Sequence, residues 1–255
     1  MILLADHKEA ELLNKALLIQ APSKFYEAVP FFYREAQGFG FINTFYVVTD
    51  YKEPYNLGDN CVVKSLKKDL QFSSNMLNLL SLVQEDVFFI CCEDHVLKGP
   101  NNKDEWQQCW DFVDAKKDCG YLRMTNNGRV EYETKGDKFS LMSRKYKYYA
   151  SLQPGIWRRD YFKEALKKGE DAWQFEIKGS QRVRKHPMRS YCVNETIFHH
   201  TNFYKSGKFY RHKFAEYAIK NGFELTSGRK VFWKGKTYSF KDYKDNFEKR
   251  EANKV

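Results

Sequence analysis

Phe88-Phe89-Ile90-Cys91-Cys92-Glu93-Asp94-His95 decides the fold. Val87 to Cys92 is the most apolar run of the chain. It has the length of one buried strand, far short of the ~18 residues of a membrane span. The run ends abruptly in two acids and a histidine, so a buried strand delivers polar chemistry at its carboxyl edge. Near-continuous apolar strands belong to parallel sheets whose crossover helices cover both faces. In open sheets of that kind the ligand sits beyond the carboxyl ends of the strands. Carboxylate oxygens suit Mg2+ or Mn2+, and such an ion can bridge nucleotide phosphates and neutralise a diphosphate leaving group. The same residues also fit a strand running into a solvated acidic turn.

Outward from that run the same alternation of elements appears. Residues 1–15 read as a polar lead-in helix. Ala16-Leu17-Leu18-Ile19-Gln20 is a short strand, broken by Pro22-Ser23. Lys24 to Ala36 places Phe25, Val29, Phe32 and Ala36 at helical spacing, and Gly38 and Gly40 close that helix. Phe41 to Thr49 is a second strand, closed by Asp50, and Asn60 to Leu66 a third. Ser73 or Ser74 offers an N-cap to a helix through Met76, Leu77, Leu80 and Val83. The residues just past the strands are therefore the ones to watch: Ala21-Pro22-Ser23, Thr49-Asp50-Tyr51 and Glu93-Asp94-His95.

Further on, Trp106 to Val113 reads as a helix, Gly120 to Thr125 as a strand, and Asn126-Asn127-Gly128 as a turn opening a hairpin. Arg158 to Lys168 reads as a helix ended by Gly169, Tyr191 to Phe198 as a late strand, and Val231 to Tyr238 as a hairpin. Lys241 to Val255 is charged and reads as a frayed end.

The 255 residues carry 43 Lys and Arg against 33 Asp and Glu, a net charge of +10. That balance suits nucleic acid, an anionic membrane surface or a phosphate-bearing small ligand. No nucleic-acid module accompanies the basic residues, so no nucleic-acid partner is expected. They are densest at Arg182-Val183-Arg184-Lys185-His186 and from Lys205 to Lys213. Six cysteines form no Cys-x-x-Cys pair, which argues against a zinc ribbon or thioredoxin-type site. A reducing, cytosolic compartment is the simplest fit, and Cys91 and Cys92 read as small buried hydrophobes. Met1-Ile2-Leu3-Leu4-Ala5 meets Asp6-His7-Lys8-Glu9 too soon for a signal peptide. Lys205-Ser206-Gly207-Lys208 lacks the upstream glycine of a phosphate loop and reads as a hairpin turn.

A second block follows: Tyr149-Ala150-Ser151-Leu152-Gln153-Pro154-Gly155-Ile156-Trp157, then Asp171-Ala172-Trp173-Gln174-Phe175-Glu176, then Gly179-Ser180. A tryptophan face can stack on a sugar ring, and a nearby carboxylate can take the proton of an attacking hydroxyl. The pattern equally fits core aromatics with surface acids.

In their order these pieces resemble glycosyltransferases of the GT-A fold, in particular a group from bacterial surface-polysaccharide clusters and large DNA viruses. Glu93-Asp94-His95, Ser151 to Trp157, Trp173-Gln174-Phe175-Glu176 and Gly179-Ser180 carry the resemblance, which spans roughly residues 16 to 210. It implies an α/β, Rossmann-like sheet flanked by helices, in one domain over 1–255. Residues 16–125 would be the nucleotide-sugar-binding half, 126–215 an aromatic acceptor-side half and 216–255 a C-terminal extension. It implies a Mn2+- or Mg2+-dependent enzyme that moves a sugar from a nucleotide-sugar donor to a glycan or lipid-linked glycan acceptor.

Residue by residue, the family's Asp-x-Asp metal motif here reads Glu93-Asp94-His95, without the second aspartate. By resemblance Asp94 contacts the metal, joined by His95 and His200, and Glu93 holds the sugar or an outer water. Adjacent strand residues point to opposite faces, so only one of His199 and His200 turns inward. Ala21, Pro22, Ser23 and Asp50 lie where the nucleoside passes. Glu176, then Asp171, is the base of an inverting enzyme, and Gln153, Trp157 and Trp173 face the acceptor. Arg182 and Arg184, in the stretch that also holds His186, are candidates for phosphate contact on a mobile loop. The basic, aromatic C-terminal part suits a membrane surface, an acceptor-site cover or a dimer contact. Two other readings stay open. A nucleotidyltransferase would want a glycine-rich, basic loop where Ala21-Pro22-Ser23-Lys24 stands. A non-catalytic module for nucleic acid or anionic glycan would need neither Asp94 nor Glu176.

Overall fold

The computed structural model describes residues 15–40, 42–50, 57–92, 94–205, 209–222, 225 and 228–253. The lead-in before Lys15, Tyr51 and Glu93 lie outside the described residues. The strands of the main sheet are β1 (Ala16–Gln20), β2 (Thr44–Thr49), β3 (Cys61–Ser65) and β4 (Val87–Ile90) in the first half. With β5 (His95–Pro100) set apart, the second half adds β6 (Cys119–Arg123), β7 (Tyr132–Thr134), β8 (Phe139–Met142), β9 (Gly155–Arg158) and β10 (Arg189–Val193). Their order across the sheet is β3-β2-β1-β4-β9-β6-β10-β8-β7.

The first four strands pair in parallel, as the apolar runs predict. Beyond β4 the sheet is mixed, with β6 and β10 still paired in parallel. There β9 pairs antiparallel with both β4 and β6, and β8 pairs antiparallel with both β10 and β7. The chain reaches β9 by the Pro154-Gly155 break, which Tyr149 to Trp157 showed only as an interruption of an apolar stretch.

Alternation along each strand explains the two-sided burial. Ala16, Leu18, Tyr46, Val48, Phe88 and Ile90 enter one core, with Met76 and Leu79 of the helix Phe72–Leu80 and Phe162 of the helix Arg159–Ala165. Their neighbours Leu17, Ile19, Phe45, Val47, Phe89 and Cys91 enter the other, under the helices Val29–Gly38 and Lys103–Ala115. The apolar side chains of β1, β2 and β4 thus find a core on either face, which is why the runs are continuous rather than alternating.

Local expectations hold unevenly. The helix at 72–80 takes no serine cap: its N-cap is Gln71 at φ 71°, Ser73 is buried, and Ser74 Oγ accepts the N–H of Gly169 at 2.8 Å. Lys241 to Val255 is not frayed over its described part. Ser239 caps a helix over Phe240–Ala252 by accepting the N–H of Asp242 at 3.0 Å, and Tyr243 and Phe247 anchor it. The late strand ends at Val193, and a new one, β11 (Phe198–Asn202), pairs antiparallel with β5.

A four-stranded sheet follows, ordered β12 (Tyr204–Lys205), β13 (Phe209–Arg211), β14 (Val231–Trp233), β15 (Lys236–Tyr238). With the helices His212–Lys220 and Phe240–Ala252 it builds a third core around Phe203, Tyr210, Phe214, Val231 and Tyr243, to which Ala28 and Phe31 contribute. This sheet straddles residue 216, where the extension was expected to begin. No helix among the described residues is long and apolar enough to cross a membrane.

Trp157, expected at the acceptor, is instead a core residue. It is fully buried and stacks on Tyr121 with ring centroids 4.0 Å apart. Phe162 and Phe175 pack around it, so neither ring face meets solvent. Trp157→Ala should destabilise the protein by about 3–5 kcal/mol, measured by chemical denaturation.

Candidate active site

The carboxyl ends of β1 and β4 open into a cleft of ≈680 Å3, within the range of small-ligand sites. Gln20, Pro22 and Phe25 come from the β1 end, and Cys91, Cys92 and Asp94 from the β4 end. Asp171, Ala172, Trp173 and Leu152 also line it. Asn202, Tyr204 and Arg211 enter from β11, β12 and β13. Arg211 is the one lysine or arginine lining this cleft among the described residues. Sequence reading placed it only within a basic run. A smaller hollow of ≈170 Å3 takes in His200, Gln153, Thr125, Asn126 and Thr196, all of them amide, hydroxyl or imidazole groups.

Asp94 is where the strand-end motif puts it, on the cleft. Burial pushes its carboxyl above the usual range, partly offset by a hydrogen bond from Asn202 and by nearby His200 and Arg211. His95 is buried, with Nε2 3.7 Å from Asp94 Oδ1 and Nδ1 3.2 Å from Cys91 Sγ. The His200 ring lies against His95, with centroids 4.0 Å apart and the planes tilted by 35°. Burial lowers both imidazoles to about 3, so both are neutral at pH 7. His199 turns the other way, its Nε2 2.8 Å from Asn101 Oδ1. Of the expected ligands, Asp94 and His95 have donor atoms that converge, within 4.8 Å of one another and of Cys92 Sγ. His200 lies beside this group rather than in it. The three donor atoms are close enough to share one ion, so the residues present fit a divalent cation.

The loop after β1 is built differently from the expectation. Ala21 is buried and donates its N–H to Val48 O at 2.7 Å, so it offers the cleft no side chain. Ser23 donates its N–H and its hydroxyl to Asp50, at 2.6 and 3.0 Å. Asp50 therefore ties down the loop, and Pro22 is the residue of the three that lines the cleft.

The second block interlocks. A π-helical turn, Phe175–Gly179, carries Glu176 and runs on into Ser180–Val183. Glu176 Oε1 accepts the N–H of Leu152 at 2.9 Å. Ser180 Oγ accepts the N–H of Ala150 at 2.8 Å and donates to its carbonyl at 3.0 Å. A Cβ on Gly179 would lie 2.8 Å from the carbonyl of Ala165, which explains the glycine. Burial raises the Glu176 carboxyl; the Leu152 N–H and Arg123 oppose that rise. Asp171 is the N-cap of the preceding turn, accepting the N–H of Gln174 at 2.8 Å while lining the cleft. Gln153 reaches the smaller hollow, its Oε1 3.3 Å from Thr125 Oγ1.

Trp173 is 75% exposed on the cleft wall, against a fully buried Trp157. Arg182 and Arg184 do not line the cleft. Arg182 grips buried Glu170 through two bonds of 3.0 and 2.5 Å, and Arg184 donates to the carbonyl of Tyr146 at 3.2 Å. Their stretch is a packed helix end, with His186 Nδ1 accepting the N–H of Met188.

No protein-family model and no curated protein matches this chain. Among solved structures its fold is similar to residues 1–349 of S. aureus TarS in complex with UDP-GlcNAc, at TM-score 0.54 and 12% identity over 82% of this chain and 65% of that one. The same TarS fragment in another crystal structure matches at TM-score 0.53 and 12% identity, over 73% of this chain and 60% of that one. UTP-bound UGPase from Acinetobacter baumannii matches at TM-score 0.53 and 11% identity, over 84% of this chain and 95% of that one. The chain spans less than two thirds of either TarS fragment. At such identity the similarity is one of fold, a mixed α/β sheet flanked by helices.

The Glu176 geometry sets a pH dependence. A carboxyl raised by burial takes up a proton on folding, so its stabilisation is present in acid and lost as pH rises through the raised value. Glu176→Gln keeps an oxygen for the Leu152 N–H and removes the charge. Its melting temperature should equal the parent's near about pH 4 and exceed it by about pH 8, read by thermal denaturation across pH.

Proposed function

We propose that this chain is a glycosyltransferase, moving a sugar from a nucleotide-sugar donor to a hydroxyl of a glycan or lipid-linked glycan with inversion. The observation that carries the reading is the strand-end cleft, which Asp94, Arg211 and the exposed Trp173 line together. Solved structures of the same fold hold UDP-GlcNAc and UTP, which supports a nucleotide at the strand ends here.

The chemistry follows from charge. As the anomeric C–O bond breaks, its electron pair leaves with the diphosphate, and the Arg211 guanidinium answers that negative charge. A divalent cation held by Asp94 and His95 would add charge neutralisation at the same group. Trp173 presents an apolar face for a sugar ring. Glu176 takes the proton of the acceptor hydroxyl as the new C–O bond forms, and its burial raises the carboxyl toward the range of a working base. Asp171, which lines the cleft and caps a helix, is the second candidate for that proton.

The similarity to UTP-bound UGPase favours a second reading, nucleotidyl transfer with pyrophosphate release. Ala21-Pro22-Ser23-Lys24, which has no glycine and holds Ser23 against Asp50, is a poor version of the glycine-rich, basic loop that chemistry wants after β1.

A thermal-shift panel of nucleotide-sugars and nucleoside diphosphates, with divalent ions or chelator, tests the reading. A ligand at a hundred times its Kd stabilises by ~2.7 kcal/mol; one nucleotide series should shift the melting temperature. No shift with any nucleotide would sink the transferase. Arg211→Met should weaken nucleoside diphosphate binding by about tenfold and leave the bare nucleoside unaffected, measured by calorimetry. Glu176→Gln should keep donor binding and lose transfer by about 10²–10⁴-fold; unchanged turnover removes it as the base.

A further inference from the structure

Among the described residues, the donors gathered at the β4 end are a thiol, a carboxylate and an imidazole. Cys92, read from sequence as a small hydrophobe, lines the cleft, and its Sγ groups with Asp94 and His95 inside 4.8 Å. Among the described residues this is the one such gathering of His, Cys, Asp or Glu donors. We infer that Cys92, Asp94 and His95 form a mixed sulfur, oxygen and nitrogen site that takes a thiophilic divalent ion, Zn2+ or Co2+, in preference to Mg2+.

Three features of the surroundings prepare these groups. His95 meets Cys91 Sγ through Nδ1, at 3.2 Å, and turns Nε2 toward Asp94, 3.7 Å from Oδ1. An outer partner on one ring nitrogen that aims the other inward is the usual arrangement of a ligating histidine. The His200 ring lies over His95 at 4.0 Å and limits its rotation. Asn202, opposite His95 in the β5–β11 pair, hydrogen-bonds Asp94. Cys91 and Cys92 both border the cleft; Cys91 is buried in one core and meets the ring through Sγ, while half-buried Cys92 packs on the opposite core.

The preference follows from donor chemistry. Mg2+ wants near-octahedral oxygen ligation and keeps its waters. A thiolate selects softer ions, and a cysteine, histidine and carboxylate suit tetrahedral zinc. The three described donors together with an oxygen of a bound ligand would make up a four-coordinate set. Under the proposed reading, on which only this last role rests, that oxygen belongs to the donor diphosphate.

Cobalt is the probe, because a Co2+–thiolate bond produces a sulfur-to-cobalt charge-transfer band in the near ultraviolet. Chelator-treated full-length protein should bind one Co2+ with that band, lose it to stoichiometric Zn2+, and keep it in a large excess of Mg2+. Cys92→Ser should lose the band and weaken Zn2+ by at least about tenfold, and Cys61→Ser, at the sheet edge, should keep both. Should Cys92→Ser fail to fold, Asp94→Asn with the same titration provides the second variant, with weakened metal and the sulfur band retained. Cobalt bound without a sulfur band, no stoichiometric Co2+ or Zn2+ binding, or displacement of Co2+ by Mg2+ overturns the inference. The nucleotide panel run beside it separates the two ideas. Nucleotide binding without a sulfur-bound metal leaves the transferase standing alone, and a sulfur-bound metal without nucleotide binding leaves the metal site standing alone.

Discussion

The segment Ala150–Gln153 runs through the interior on its way to β9, and buried backbone must find hydrogen-bond partners. Side chains supply them. Ser180 takes both polar groups of Ala150, Glu176 takes the N–H of Leu152, and the Tyr121 hydroxyl, 3.3 Å away, donates to the carbonyl of Gln153. An unpartnered buried amide costs about 1–3 kcal/mol, so these contacts determine where the segment lies. That position in turn decides the rest: β9 enters the sheet between β4 and β6, and Leu152 and Gln153 border the two cavities. The π-helical turn that carries Glu176 is the local distortion that lets one short helical stretch serve both anchors.

A second constraint is the abrupt change of environment at the end of β4. Ile90 and Cys91 are buried in the two opposing cores, and Asp94 follows on the cleft. Burial leaves His95 and His200 neutral and raises Asp94. The exposed Arg211 guanidinium comes from a separate sheet. The C-terminal unit is thus part of the cleft, since Asn202, Tyr204 and Arg211 lie on it or lead into it. Its core reaches back to Ala28 and Phe31, which places it beside the β1 loop.

The parallel half was legible because its physics is local in sequence. Two-sided burial demands continuous apolar runs, and Ala16–Gln20, Thr44–Thr49 and Val87–Ile90 have them. Asp94 was legible for the same reason, as the first described polar residue on the cleft beyond such a run. The antiparallel insertion of β9 was not, because nothing in Gly155–Arg158 encodes its neighbours. Trp157 and Trp173 show the limit most clearly. Both follow the aromatic pattern of a sugar platform, yet one is enclosed by Tyr121, Phe162 and Phe175 and the other is open to the cleft. Residue type does not distinguish them; packing does.

The sequence by itself determined the parallel sheet, the edge at which its chemistry sits, and the acid and histidine that the β4 run delivers there. It did so through hydrophobic periodicity, which each segment carries alone. Only the tertiary structure decided which side chains share the site. Cys92 lies with Asp94 and His95, Arg211 rather than Arg182 or Arg184 lines the cleft, and Asp50 accepts from Ser23. Those partnerships join residues as far apart as Asp94 and Arg211, across elements whose meeting depends on how three cores pack together.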